Sequence, residues 1–161
     1  MYMTPEEIRQ KFPDAVIESG AEIERYILIE SGAVIESGAV IENGAVIGSG
    51  VRIGRAAVIG RGAEIENGAE ISSGASIGVN RKGVTHALVI NGIGTTRRMT
   101  AHTSDDGLVI VIGCLNDYQG VTIEQARQAI AEKYPNDHAY FVALDLAQRW
   151  YDQLKKEQET A

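Results

Sequence analysis

The chain has 161 residues, of which 44% are apolar, 6% are aromatic and 18 are glycine; this composition is typical of a globular protein with many tight turns around a narrow core. The net charge is −7, but residues 51–100 carry a positive net charge between two acidic ends, which argues against a long nucleic acid as partner and favours a compact anionic ligand. The single cysteine, Cys114, excludes an intrachain disulfide. With no long apolar run and no leader pattern, we expect a cytoplasmic protein without a membrane partner.

A short helix is predicted at the start of the chain. Thr4 precedes Pro5, and Glu7 follows Thr4 by three positions, which is the pattern of a capped helix start. Pro13 ends the segment. We therefore predict a capping helix within residues 1–13 that covers the open end of the structure that follows.

Isoleucine recurs at every sixth position from residue 17 to residue 77, and glycine follows most of these isoleucines by three positions. A small or aliphatic residue precedes each isoleucine by two positions, so both side chains face the same side of a short strand. Glycine then supplies a corner with a backbone conformation that is costly for other residues. Three repeats close one triangular coil, so residues 14–83 are predicted to form a parallel β-helix of about 3.5–4 coils around a dry column of Ile and Ala.

The repeats read Ile-Glu-Ser-Gly-Ala-Val at residues 35–40 and Ile-Gly-Ser-Gly-Val-Arg at residues 47–52. This pattern resembles the hexapeptide-repeat family, whose fold is a left-handed parallel β-helix. The resemblance implies the left hand, because the general rule for parallel crossovers would give a right-handed one. It also implies that three prisms pack into a homotrimer with three equivalent grooves between subunits.

Residues 84–161 lose the repeat and are predicted to form a small β-β-α-α appendage, within a fold class that is mainly β. The turn Asp105-Asp106-Gly107 indicates a hairpin over residues 96–115. Thr122 and Asp137 are suited to cap helices at 123–133 and 138–157. Residues 92–134 also resemble the tails of uncharacterised hexapeptide proteins of bacteria and their phages, and this resemblance implies no particular activity.

Basic and hydroxyl residues in the middle of the chain form the first candidate site. A Gly-rich turn with hydroxyls beside arginine can bind phosphate or carboxylate. The turn lacks the Lys-Ser/Thr ending of a P-loop, so no NTPase is implied. The candidate ligand-binding residues are Arg52, Arg55, Arg61, Arg81, Lys82, Gly94, Thr95, Thr96, Arg97, Arg98 and His102.

These residues lead to our first functional prediction. We expect a non-enzymatic homotrimer that binds a small anionic, nucleotide-like ligand in the grooves between subunits. One concrete version is a phage-type protein that sequesters a host signalling nucleotide. The simpler interpretation of the same residues is a β-turn with solvated arginines.

Enzymes of the hexapeptide-repeat family are mostly acyltransferases, so the resemblance implies an alternative. Such an enzyme would take acetyl-CoA or another acyl-CoA, and His86 would act as general base on the acceptor; otherwise no cofactor and no metal are expected. Two features argue against such an enzyme. The coils contain no long loop that could form the side of an acceptor pocket, and stacked glutamates would repel the phosphates of CoA. These glutamates are Glu18, Glu24, Glu30, Glu36 and Glu42. A third possibility is a structural or assembly trimer.

Overall fold

A computed structural model describes residues 1–93, 97–112 and 120–161. Most of the first range is a parallel β-helix built from very short strands, each with one outward and one inward side chain. In chain order the strands are β1 (Val16–Ile17), β2 (Glu22–Ile23), β3 (Leu28–Ile29), β4 (Val34–Ile35), β5 (Val40–Ile41), β6 (Val46–Ile47), β7 (Arg52–Ile53), β8 (Val58–Ile59), β9 (Glu64–Ile71) and β10 (Ser76–Ile77).

The strands stack in three parallel walls. Wall 1 contains β1, β4, β7 and the end of β9; wall 2 contains β2, β5, β8 and β10; wall 3 contains β3, β6 and the start of β9. Three corners connect them. Corner A (residues 18–21, 36–39, 54–57 and 72–75) leads from wall 1 to wall 2, corner B (24–27, 42–45, 60–63 and 78–83) from wall 2 to wall 3, and corner C (30–33, 48–51 and 66–69) from wall 3 back to wall 1.

The predicted interior column is confirmed. Ten of the eleven isoleucines in six-residue register are buried, and the alanines that precede them fill the space between. Ile53, for example, is fully buried and pairs with Ile35 below it and Ile71 above it. Burial of such a side chain contributes about 1.5–3 kcal/mol, so the repeat itself supplies the hydrophobic core of the β-helix.

The N-terminal helix, α1 (Pro5–Lys11), closes the first coil. Thr4 and Glu7 form the capping box that the sequence predicts, and Ile8 and Phe12 are buried against the column. Ahead of the helix, Tyr2 forms an antiparallel bridge with Glu24. The start of the chain therefore covers part of the strand edge that the first coil leaves open.

Beyond the repeats, the sheet continues without a break. The elements are β11 (Val84–Ile93), β12 (Arg97–Ser104), β13 (Gly107–Ile112), β14 (Val121–Thr122), α2 (Ile123–Lys133) and α3 (His138–Thr160). Strand β11 pairs in parallel with β9 and antiparallel with β12, and β12 pairs antiparallel with β13 as the hairpin signal predicts. Val84 and Ala87 still belong to the column, so the first residues of the predicted appendage pack with the β-helix.

Helices α2 and α3 cover the face of this C-terminal sheet that points away from the β-helix. Met99, Ala101 and Ile110 form a second core with Ile130 and Leu144 from the helices. Both helices begin where their caps predict, and α3 extends three residues beyond the predicted end because its last residues contain neither Pro nor Gly. The predicted fold class, a mainly β solenoid with an N-terminal helix and C-terminal helices, is confirmed. None of the helices in the described ranges is both long and apolar enough to cross a membrane.

Candidate functional site

The basic residues of the middle segment fall into two groups at opposite ends of wall 2. The first group is at corner A. The backbone N–H of Gly74 donates to the carbonyl of Arg55 at 2.8 Å, and Nη1 of Arg98 donates to the carbonyl of Gly74 at 3.0 Å. Arg55 and Arg98 therefore lie on neighbouring levels of one corner, although they are far apart in sequence.

Two contacts hold the guanidinium group of Arg98 in place. Its Nε donates to Oδ1 of Asn91 at 3.1 Å while Nη1 binds Gly74. A Cβ atom added to Gly74 would lie 2.9 Å from Cζ of Arg98, so the guanidinium rests directly against the corner backbone. The residue is nevertheless exposed.

Arg52 and Glu36 complete the charges at this corner. Oε1 of Glu36 lies 3.9 Å from Nη2 of Arg52, and its Oε2 accepts the backbone N–H of Arg55 at 3.0 Å. Within the described ranges, neither Arg55 nor Arg98 forms an ion pair with a carboxylate. Corner A thus holds the guanidinium of Arg98 against Gly74 and, one level below, the exposed residue Arg55, and neither side chain forms an ion pair with a described carboxylate.

The second group lies at corner B, and there Lys82 and Arg81 do form ion pairs with carboxylates. Nζ of Lys82 lies 2.7 Å from Oε1 of Glu64, and this hydrogen bond raises the pKa of Lys82. Arg81 reaches Asp106 at 3.6 Å and donates to the carbonyl of Gly120 at 3.1 Å. Arg61 is exposed at the same corner. The structure therefore does not bring all the predicted basic residues into one site.

Part of the predicted site lies outside the described residues. This applies to Gly94, Thr95 and Thr96, and of Arg97 only the backbone is described, as the first residue of β12. The proposed Gly-rich anion-binding turn thus stays a prediction from the sequence.

The predicted contact of His102 with a ligand stays a prediction, and the structure places this residue in the interior. Its side chain is fully buried, its Nε2 accepts the N–H of Gly78 at 3.4 Å, and its Nδ1 donates to the carbonyl of Thr103 at 2.9 Å. Burial lowers the pKa of His102 to about 4. His102 is buried because its side chain lies on the face of β12 that packs against the last coil of the β-helix, where it contacts Gly78.

His86, the base of the alternative hypothesis, is exposed on wall 1. Its backbone partner in β9 is Glu70, which is also the partner of Arg52 on the coil below. Nδ1 of His86 lies 3.0 Å from Oγ1 of Thr85, which leaves Nε2 toward solvent. Arg52, Glu70 and His86 therefore form an outward column. The sequence analysis missed Glu70, although its distance of three repeats from Arg52 could have revealed it.

The stacked glutamates have a structural role that the sequence analysis did not foresee. Each places a carboxylate oxygen on the backbone N–H of a corner residue in the next coil, at 2.9 to 3.1 Å. The pairs are Glu18 with Ser37, Glu24 with Asn43, Glu30 with Ser49, Glu36 with Arg55 and Glu42 with Arg61. These side chains link neighbouring coils, so the column of glutamates has a structural role in addition to its negative charge.

Comparison with known proteins identifies the family to which the repeat belongs. A family model described as "GlmU-like, C-terminal hexapeptide" matches residues 11–94, which is more than half of the chain. The match includes the whole β-helix and extends into β11. No curated protein matches the chain significantly. With the stacked coils and the eleven isoleucines in six-residue register, this match shows that the solenoid is a left-handed parallel β-helix and that the chain belongs to the GlmU-like hexapeptide-repeat family.

Proposed function

We propose that the protein is a homotrimer that binds a small anionic ligand at corner A without transforming it. The observation that carries this proposal is that the guanidinium of Arg98 lies on Gly74, whose N–H pairs with the backbone carbonyl of Arg55 one level below, and that neither arginine has an ion pair with a carboxylate of the described residues. Two like charges on neighbouring levels repel each other, and an anion between them would relieve that repulsion.

The chemistry of the two side chains indicates the class of ligand. Guanidinium groups bind phosphate and carboxylate through paired N–H donors. Asn91 and the carbonyl of Gly74 already fix Arg98, so little side-chain entropy is lost on binding. We therefore expect a ligand with at least one phosphate or carboxylate group, and nucleotides are the first class to test.

Trimerisation is the second part of the proposal. Proteins with this repeat commonly form trimers, and apolar side chains point outward from the lower coils. Val16 on wall 1 is 60% exposed and Leu28 on wall 3 is 50% exposed. Covering such side chains with neighbouring subunits is favourable. The arginines of corner A would then border a groove between two prisms.

Native mass spectrometry and a thermal-shift screen test both parts. We expect a trimer mass, and a rise in melting temperature with cyclic nucleotides or inorganic phosphate. Arg55→Gln should abolish that rise, whereas Arg61→Gln should preserve it, because Arg61 is an exposed arginine at the opposite corner. Arg98→Gln serves as a second variant, although it also removes a contact to Gly74. A monomer mass, or equal shifts in Arg55→Gln and wild type, would contradict the proposal.

The outward column on wall 1 favours one second candidate, a CoA-dependent acyltransferase. His86 is exposed, its Nδ1 is oriented by Thr85, and Glu70 is its strand partner; these are features that a general base needs.

A transfer assay with acetyl-CoA and a panel of amine and alcohol acceptors tests this candidate. Acetyl transfer that disappears in His86→Ala, while acetyl-CoA still raises the melting temperature of that variant, would favour the enzyme. Equal transfer by His86→Ala and wild type would exclude His86 as the base.

A further inference from the structure

Wall 2 ends at β10, and among the described residues no strand pairs with the upper edge of β10. Such an edge exposes unpaired backbone N–H and C=O groups, which are costly when buried and which pair readily with other chains when exposed. The last coil therefore needs a partner for its edge.

Side chains of β12 supply that partner. Three alternate residues of β12 each form one hydrogen bond through their side chains with three alternate residues of the edge. A neighbouring strand would form such bonds through its backbone. The contacts are Nη1 of Arg98 to the carbonyl of Gly74 at 3.0 Å, the N–H of Ser76 to Oγ1 of Thr100 at 3.0 Å, and the N–H of Gly78 to Nε2 of His102 at 3.4 Å.

The contact made by His102 depends on its protonation state. Nδ1 donates to the carbonyl of Thr103, so Nε2 carries the lone pair that accepts the N–H of Gly78 in the neutral ring. Protonation places a hydrogen on Nε2, and two donors then face each other across this contact. The contact changes from attractive to repulsive, in a site where the side chain is fully buried.

We propose that β12 is an acid-released latch on the end of the β-helix, and that protonation of His102 opens it.

The groups around His102 determine the pH at which the latch opens. Its strand neighbours are Ala87 on β11 and Val109 on β13, which are uncharged. Burial is the main cause that lowers the pKa of His102 to about 4, and the nearby positive charge of Arg81 lowers it further. The Thr103 carbonyl acts in the opposite direction.

Linkage then gives the direction of the effect. The ordinary pKa is 6.5 and the value in the closed state is about 4, so the open state binds the proton more tightly. The closed latch is fully stable above about pH 6.5, and its closing equilibrium falls about tenfold for each pH unit between about 6.5 and 4. Below about pH 4 the loss levels off.

Opening would also affect the arginine on the same strand. Movement of β12 would carry Arg98 away from Arg55 and weaken anion binding at low pH. This consequence rests on the proposed function, whereas the latch itself does not.

Amide hydrogen exchange of the full-length protein tests the latch directly. We expect the protection of the Ser76 and Gly78 amides in wild type to fall about tenfold per pH unit between pH 6.5 and 4. The matched variant is His102→Gln, because Gln places an amide oxygen where Nε2 lies and does not titrate. Its Gly78 protection should stay constant over this range. The Ala39 and Ala57 amides, in the lower coils, report general acid unfolding.

Three results would overturn the proposal. The first is the same pH dependence of Gly78 protection in His102→Gln and wild type. The second is loss of protection at Ala39 and Ala57 together with Gly78, which would indicate unfolding of the whole β-helix. The third, which applies even if His102→Gln does not fold, is an NMR titration of the wild-type His102 ring with a midpoint at the ordinary 6.5.

Discussion

Oε2 of Glu30 accepts hydrogen bonds from both the backbone N–H and the hydroxyl of Ser49, the residue above it on the next coil, at 3.1 and 2.9 Å. The same kind of contact recurs at corners A and B. A corner interrupts the backbone pairing of the walls, so its N–H groups need another acceptor. The glutamates therefore help to fix the stacking of the coils.

Replacing Glu30 with alanine should destabilise the β-helix. The variant leaves the hydroxyl of Ser49 without the carboxylate, whereas its N–H keeps a second acceptor, Oδ1 of Asn67 at 2.8 Å. We therefore expect a loss of about 1 kcal/mol in the free energy of unfolding. Glu66 stands at the same corner two coils further on, is exposed, and makes no such contact with a described residue. Urea denaturation should show a change below about 0.5 kcal/mol for Glu66→Ala. Equal losses in the two variants would refute the role assigned to Glu30.

Tyr26 allows a test of how much the left-handed backbone conformation of a corner costs a residue other than glycine. It occupies a left-handed conformation, with φ of 58°, at the position where the next coil has Gly44. The two residues are stacked, since the N–H of Gly44 donates to the carbonyl of Tyr26 at 3.1 Å. A non-glycine residue in this conformation costs about 1–2 kcal/mol, and the side chain of Tyr26 is 80% exposed, so little packing is lost on its removal.

We therefore expect Tyr26→Gly to raise the melting temperature, with a gain of up to about 1 kcal/mol after the entropy cost of glycine in the unfolded chain is included. Gly44→Ala, the reverse change one coil above, should lower it. Thermal denaturation followed by circular dichroism measures both. A lower melting temperature for Tyr26→Gly would mean that the tyrosine ring stabilises the fold through contacts that outweigh the strain.

At corner A the glutamates stop at Gly54, where a side chain would clash with the next coil. A Cβ atom added to Gly54 would lie 2.8 Å from Cα of Ser73 and equally close to its Oγ. Gly54→Glu restores the residue that the two lower coils have at this position of corner A, Glu18 and Glu36, yet it should destabilise the protein. Overpacking of this kind costs about 1–3 kcal/mol.

Urea denaturation of Gly54→Ala and Gly54→Glu measures that cost. Gly50→Ala is the control, because a Cβ at Gly50 meets no atom within 4 Å and only its φ of 67° is unfavourable. A more stable Gly54→Glu would show that the coils can move apart to accommodate the side chain.

The period of six made the column and the corners predictable, because each repeat has the same local surroundings. Ile53 and Gly44 illustrate this: one is buried in the column and the other has the positive φ that the corner requires. The contacts between β12 and β10 were not predictable, because they join a repetitive segment to a non-repetitive one. His102 was therefore assigned to a ligand, whereas it pairs with Gly78.

In the candidate site, too, positions within the repeat were predictable from the sequence, whereas contacts between distant segments were not. The sequence predicted arginines at the middle coils, and the register places Arg55 and Arg61 at corners and Arg52 on a strand. It could not show that Arg98 returns to the corner that holds Arg55, since this depends on the length of β11 and on the hairpin that follows it. The ion pair of Lys82 with Glu64 was within reach of the sequence, since the two residues are three repeats apart, as are Arg52 and Glu70.

The pH dependence of stability should contain a contribution from Glu24. A hydrogen bond from the backbone N–H of Asn43 is the main cause that lowers the pKa of Glu24 below its ordinary 4.5, and the N-terminal ammonium group adds to the effect. The ionised form therefore stabilises the folded state. This stabilisation is fully present above about pH 4.5 and is lost as the pH falls through the lower value of the folded protein.

Glu24→Gln keeps an oxygen acceptor for the N–H of Asn43 but removes the titration. We expect this variant to melt below wild type at pH 7 and the difference to shrink as the pH falls below 4.5, because the stabilisation by ionised Glu24 is then progressively lost. Glu66→Gln removes one exposed carboxylate without a backbone contact and controls for net charge. Differential scanning calorimetry at pH 7, 5 and 3 measures the three proteins. A difference between Glu24→Gln and wild type that stays constant over this range would show that the charge of Glu24 does not stabilise the corner, and that its oxygen acts only as a neutral acceptor.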